Sequence, residues 1–159
     1  MRYALVVGIA VGCAPGEGPL GVNEVASHVT DAALGTDDVG ELADWLELLN
    51  DDAVERSLAG WTVTLDDAVF ALPDLALAPG ALALVWCDAE PDQGPLHAPF
   101  TLPESAFTLE VADAEGAVVQ EISVPATAAD QSFGRVPDDA PNWQVIATPS
   151  PAQRNGDGG

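Results

Sequence analysis

The sequence predicts an all-β chain folded as a β-sandwich, and its architecture rests first on three observations. Apolar and polar residues alternate with period two along most of the chain, and no stretch holds a helical period over three turns. Clusters of Gly, Pro and Asp punctuate these alternating runs roughly every ten residues, the spacing of short strands in a sandwich. The chain has 159 residues, enough for one domain with short tails and one core.

Nine strands are expected, over 20–26, 44–49, 60–65, 69–72, 81–87, 107–112, 118–124, 132–136 and 143–147. In 44–49, Leu46 and Leu48 share one face while Trp45, Glu47 and Leu49 share the other. The run 81–87 is apolar on both faces, which places it in the middle of a sheet. Pro79-Gly80 should open it with a type II turn, because proline sets one φ and glycine supplies the positive one. Asp113-Ala114-Glu115-Gly116 reads as a hairpin joining the two runs around it. Residues 27–40 have no pattern and carry Asp31, Asp37 and Asp38, so they form a loop inserted between the first two strands, a common place for a binding surface. Trp45, Trp61, Trp86 and Trp143 fall inside strands or motifs and are expected to pack in the core with one polar edge.

At the start, Arg2 precedes a short apolar run that ends in Ala10, Val11, Gly12 and Cys13. This pattern is similar to a bacterial lipoprotein signal, and the run is far short of the ~20 residues that span a bilayer. The expected organisation is a signal segment over 1–12, a lipidated Cys13 with a short tether over 13–19, the β-sandwich over 20–155 and a disordered tail over 156–159. The chain would then be exported and attached to membrane through lipid on Cys13, at the outer membrane because Ala14 rather than Asp follows the cysteine. Cys87 is left without a disulfide partner and is expected as a buried thiol.

Acidic residues number 26 against four arginines, lysine is absent, and the net charge is −22. Such a surface repels phosphate backbones, so nucleic acid is excluded as a partner. The same carboxylates supply the oxygen donors that calcium uses, which makes calcium a possible ligand.

Several motifs carry a family resemblance: Val22-Asn23-Glu24-Val25, Asp44-Trp45-Leu46-Glu47-Leu48, Leu58-Ala59-Gly60-Trp61-Thr62-Val63 and Leu84-Val85-Trp86-Cys87-Asp88, the last followed by Leu96-His97-Ala98-Pro99-Phe100. Asp130 to Asp138, Trp143 and the proline-rich turn around Ser150-Pro151 continue it. Together they resemble the lamin tail domain over about 20–155. That resemblance implies an immunoglobulin-like sandwich, which in bacteria occurs in many secreted or surface proteins.

Glu24 and Glu47 occupy the two motif glutamates, and Arg135 is expected to close a structural ion pair with them, since a buried carboxylate needs a partner. Asp88, Asp92 and His97 form a candidate partner-binding loop, and Asp88, Glu90 and Asp92 are its candidate metal ligands. Counted as an EF-hand from Asp88, the sixth and twelfth positions hold Gln93 and Pro99 instead of Gly and Glu, so that motif is not met. The paired acids Asp37-Asp38, Asp51-Asp52, Asp66-Asp67 and Asp138-Asp139 read as solvated turns. No nucleophile elbow, phosphate loop or His-x-x-x-His pair is present, so no catalytic residue is expected. The functional expectation is a non-catalytic, surface-anchored binding or scaffolding module whose partner is an envelope protein or polysaccharide. A calcium-stabilised structural or adhesion domain is the alternative, and a hydrolase the third.

Overall fold

The computed structural model describes residues 20–156, so the expectations for the signal segment, Cys13 and residues 157–159 lie outside the described residues. Among the described residues every regular element is a strand. They are β1 (Leu20–Ala26), β2 (Asp44–Asn50), β3 (Arg56–Ser57), β4 (Thr62–Leu65), β5 (Ala68–Ala71), β6 (Ala76–Leu77), β7 (Leu82–Cys87), β8 (Phe107–Ala112), β9 (Val118–Val124), β10 (Ser132–Arg135) and β11 (Trp143–Ile146).

These strands make an antiparallel β-sandwich. One sheet has five strands in the order β11-β10-β1-β2-β7, the other has four in the order β5-β4-β8-β9, and β3 with β6 forms a small ribbon. The core lies between the sheets, where Val22, Val25, Leu46, Leu48 and Val85 of the first meet Val63, Leu109, Val111, Ile122 and Val124 of the second. Alternation explains the assignment, each strand sending every other side chain inward, with β1 stepping past an irregularity between Val22 and Glu24. The hairpin between β8 and β9 forms as expected, with Gly116 at φ +82° and its N–H donating to the Asp113 carbonyl at 2.9 Å.

The position of β7 corrects an expectation. It is an edge strand, not a central one. Its second apolar face is supplied with cover by loops, and its open edge is paired with an irregular segment: Trp86 N–H donates to the Leu96 carbonyl at 2.8 Å, and Ala98 N–H to the Trp86 carbonyl at 2.7 Å. Two-sided apolarity here reflects loop packing, which periodicity does not distinguish from a flanking strand.

The register of β1 against β2 shifts between Val22 and Glu24. Gln120 of β9, buried between the sheets, meets the irregularity: it accepts the Val22 N–H at 2.8 Å and donates to the Val22 carbonyl at 2.9 Å. One amide thus replaces a ladder partner for both backbone groups and ties the two sheets together. Gln120→Leu is expected to cost about 2 kcal/mol or more, the penalty for leaving a buried N–H and C=O unpaired. The urea midpoint reports it, and an unchanged midpoint would remove this role.

Candidate functional site

Two buried polar assemblies sit on the five-stranded sheet, one on its outer face and one at its end. The first is built on Glu24 and Glu47, which are direct cross-strand partners on β1 and β2 and are fully buried. Residues 150–155 cover them. Ser132 Oγ donates to Glu24 at 2.5 Å, Ser150 N–H and Oγ lie 3.3 and 3.2 Å from its two oxygens, and Ala152 N–H donates to Glu47 at 2.8 Å. Asp138 anchors the margin by accepting from Asn23 Nδ2 at 2.8 Å and Asn155 N–H at 2.7 Å. Burial raises the pKa of Glu24 against these bonds. Burial and then the adjacent Glu24 charge push Glu47 up to about 8.

Arg135 does not join this pair, which corrects the expected ion pair Glu24–Glu47–Arg135. Glu24 stands opposite Gly134 in the register, so Arg135, one residue on, projects from the other face of the sheet. Its guanidinium lies 5.4 Å from the centroid of the Trp143 ring, which stacks on Phe133. Burial lowers its pKa, while Asp139 and Asp51 act to raise it. The glutamates are held by hydroxyl and amide donors instead.

The second assembly forms at the end of the sandwich where β1 finishes, β2 begins and β7 finishes. The loop over residues 27–43 and the loop after β7 meet there. Asp37 folds the first loop on itself, its Oδ1 accepting the N–H groups of Val39 at 3.0 Å and Glu41 at 2.8 Å. Leu34 seats that loop on the sheet through its carbonyl, which accepts from the Trp45 indole at 2.8 Å. His97 joins the two loops. Its Nδ1 lies 2.5 Å from Asp88 and its Nε2 lies 2.8 Å from Asp38, with the ring 1% exposed. Burial opposes charge on the ring, but the bonds to Asp38 and Asp88 outweigh it and raise its pKa.

Beside this clamp lies a cavity of about 440 Å³ lined by Asp37, Glu41, Asp44, Asp88 and Glu90, with apolar contributions from Val29 and Cys87. Asp37 is 7% exposed, and its Oδ2 is buried without a hydrogen-bond partner. Oxygens of Asp37 and Asp88 and a nitrogen of His97 all come within 4.8 Å of one another. Gln93 Nε2 donates to Glu41 and Glu90 at 2.7 Å each, holding two like charges side by side. The Glu41 charge is the main cause of the raised Glu90 pKa, with burial and Asp88 adding to it.

Of the loop residues singled out in the sequence, Asp88 and His97 bond to each other, and Asp88 and Glu90 line one cavity. Asp92 is exposed and does not line it. Asp37, Asp38 and Glu41 were missed as members of this site. Asp37-Asp38 had the form of a solvated turn, yet Asp37 is buried, and so is Asp138 in the other assembly. Their burial comes from loop packing, and no local pattern encodes it.

Access limits what the titratable groups can do. Cys87 is buried, and burial pushes its thiol pKa well up, so it is held as the protonated thiol. Both nitrogens of His97 face carboxylates, and Glu24 and Glu47 are sealed beneath residues 150–155.

Charge is distributed along the long axis. The described arginines cluster at the end where β1 begins: Arg56 pairs with Asp52, Arg154 donates to the Gly80 carbonyl at 3.1 Å and lies 3.4 Å from Asp138, and Arg135 responds to Asp51 and Asp139. Asp31, Asp37, Asp38, Glu41, Asp44, Asp88, Glu90 and Asp130 gather at the opposite end, where only His28 and His97 accompany them among the loop residues that bond there. The fold and site together define an antiparallel β-sandwich with an acidic rim. No protein-family model matches the chain, and no curated protein matches it.

Proposed function

We propose that this chain is a non-catalytic binding or scaffolding module of the bacterial envelope, tethered through lipid on Cys13, whose acidic rim takes a cationic partner. The observation that carries this reading is the direction of the chain. Leu20 enters β1 at the arginine-bearing end, opposite Asn50, and β1 delivers the chain to the acidic end. Seven strand residues separate the two ends by roughly 20 Å. A tether before Leu20 therefore holds one end near a membrane and leaves the rim on the far side. The resemblance to the lamin tail domain supports the same reading, since surface-located bacterial proteins carry such sandwiches.

The partner is an envelope protein presenting basic residues, or a polysaccharide bridged by cations. Labelling with radioactive palmitate should mark the wild-type chain and not Cys13→Ser. Immobilised residues 14–159 should retain a partner from envelope extract, and the double variant Asp31→Lys, Asp92→Lys should lose it. Palmitate labelling that ignores Cys13 removes the anchor, and capture that ignores the reversed charges removes the rim.

A further inference from the structure

We infer that the cavity between the two rim loops is a calcium site whose protein ligands are the carboxylates of Asp37, Asp88, Glu41 and Glu90. The inference rests on the rim as the ligand-binding end and does not depend on the lipid.

The primary observation is the Asp37 side chain. One of its oxygens is consumed by two backbone N–H groups of its own loop, which fixes the carboxylate in place. The other is buried without a partner, and the residue lines the cavity. A buried carboxylate oxygen with no donor is unfavourable unless a cation or donor meets it. Asp88 brings a second oxygen within 4.8 Å from the other loop. Glu41 and Glu90 complete the wall, and their carboxylates are crowded against each other by Gln93.

The donor set selects the cation. Both nitrogens of His97 are engaged by Asp38 and Asp88, which leaves oxygen donors facing the cavity. An all-oxygen set favours hard cations over zinc or copper. The exposed Glu41 and Glu90 side chains can adjust, and an adaptable site of six to eight oxygens at about 2.3–2.6 Å suits calcium, whereas magnesium demands a rigid octahedron. Asp44, whose Oδ1 accepts the Val29 N–H at 2.9 Å, borders the same cavity and adds charge without being needed as a ligand.

This site differs from a loop read on its own. Asp88 and Glu90 come from the loop after β7, but their companions Asp37 and Glu41 lie on the insertion before β2, and Asp92 takes no part.

The test is calorimetric titration of calcium into purified residues 14–159, with thermal melting alongside. One site with a dissociation constant of about 10⁻⁴ M is expected, typical of extracellular modules. At about a hundredfold excess over that constant, the melting temperature should rise by roughly 10 °C. Asp37→Asn keeps the acceptor for its two loop amides and should weaken calcium binding at least tenfold. Glu90→Gln, at an exposed position, should weaken it severalfold without altering the apo melting temperature, and Asp92→Asn should change nothing. No calcium heat at millimolar concentration overturns the site, as does affinity unchanged in both Asp37→Asn and Glu90→Gln. Partner capture by the rim is read separately in chelator, so loss of the calcium site and loss of the binding module give different results.

Discussion

Unfolding free energy should fall by roughly 3–5 kcal/mol as pH rises from about 5 to 8, because one proton carried by the folded state must leave. The group is Glu47, whose folded pKa stands at about 8 against 4.5 for its ordinary value, chiefly through burial and then through the charge of Glu24. A carboxyl raised in the folded state binds its proton more tightly there than in the unfolded chain. Its stabilising contribution is complete below pH 4.5 and is lost as pH climbs through about 8. Glu24 has the same sign, since burial raises it too. So has His97, whose raised pKa makes its contribution complete below about 6.5 and lost at higher pH. Glu47→Gln separates them, keeping an acceptor for the Ala152 N–H while removing the titration. Urea unfolding across this range should show a flattened slope for the variant, with the residual fall belonging to His97 and Glu24. An identical slope in both proteins would mean that Glu47 is ionised throughout.

His97→Ala should cost about 3–5 kcal/mol, the range measured when one member of a buried charge pair is removed. The imidazole links the two rim loops from a buried position, and Asp88 beside it is itself only 10% exposed along its side chain. Without the ring, Asp88 loses the partner at its Oδ2, and the space of a buried side chain is left behind. Asp38, by contrast, is 67% exposed along its side chain, so Asp38→Asn should cost less than about 1 kcal/mol, as exposed ion pairs do. Equal losses in the two variants, measured in chelator, would show that burial of the clamp does not govern its strength.

Much of the fold was legible because its strands alternate. β1, β8 and β9 run over the expected residues, 20–26, 107–112 and 118–124. β3 and β6 escaped notice because a ladder of two residues is too short to carry a period. The site was legible only in part. Asp88 and His97 lie nine residues apart on one loop, within reach of local reading, whereas Asp38 lies 59 residues from the ring it holds. Pairing of β2 with β7 creates that proximity, and it leaves no local trace. Arg135 shows a further limit: a single residue of register decides which side of a sheet a charge occupies.

The cover over Glu24 and Glu47 has a consequence for synthesis. Ala152 follows Glu47 by 105 positions and Ser150 follows Glu24 by 126, so a nascent polypeptide leaves both acids in water until nearly the whole domain has emerged from the ribosome. Closure of residues 150–155 over the two acids, and the protonation that burial favours, can follow only after these last residues have been made.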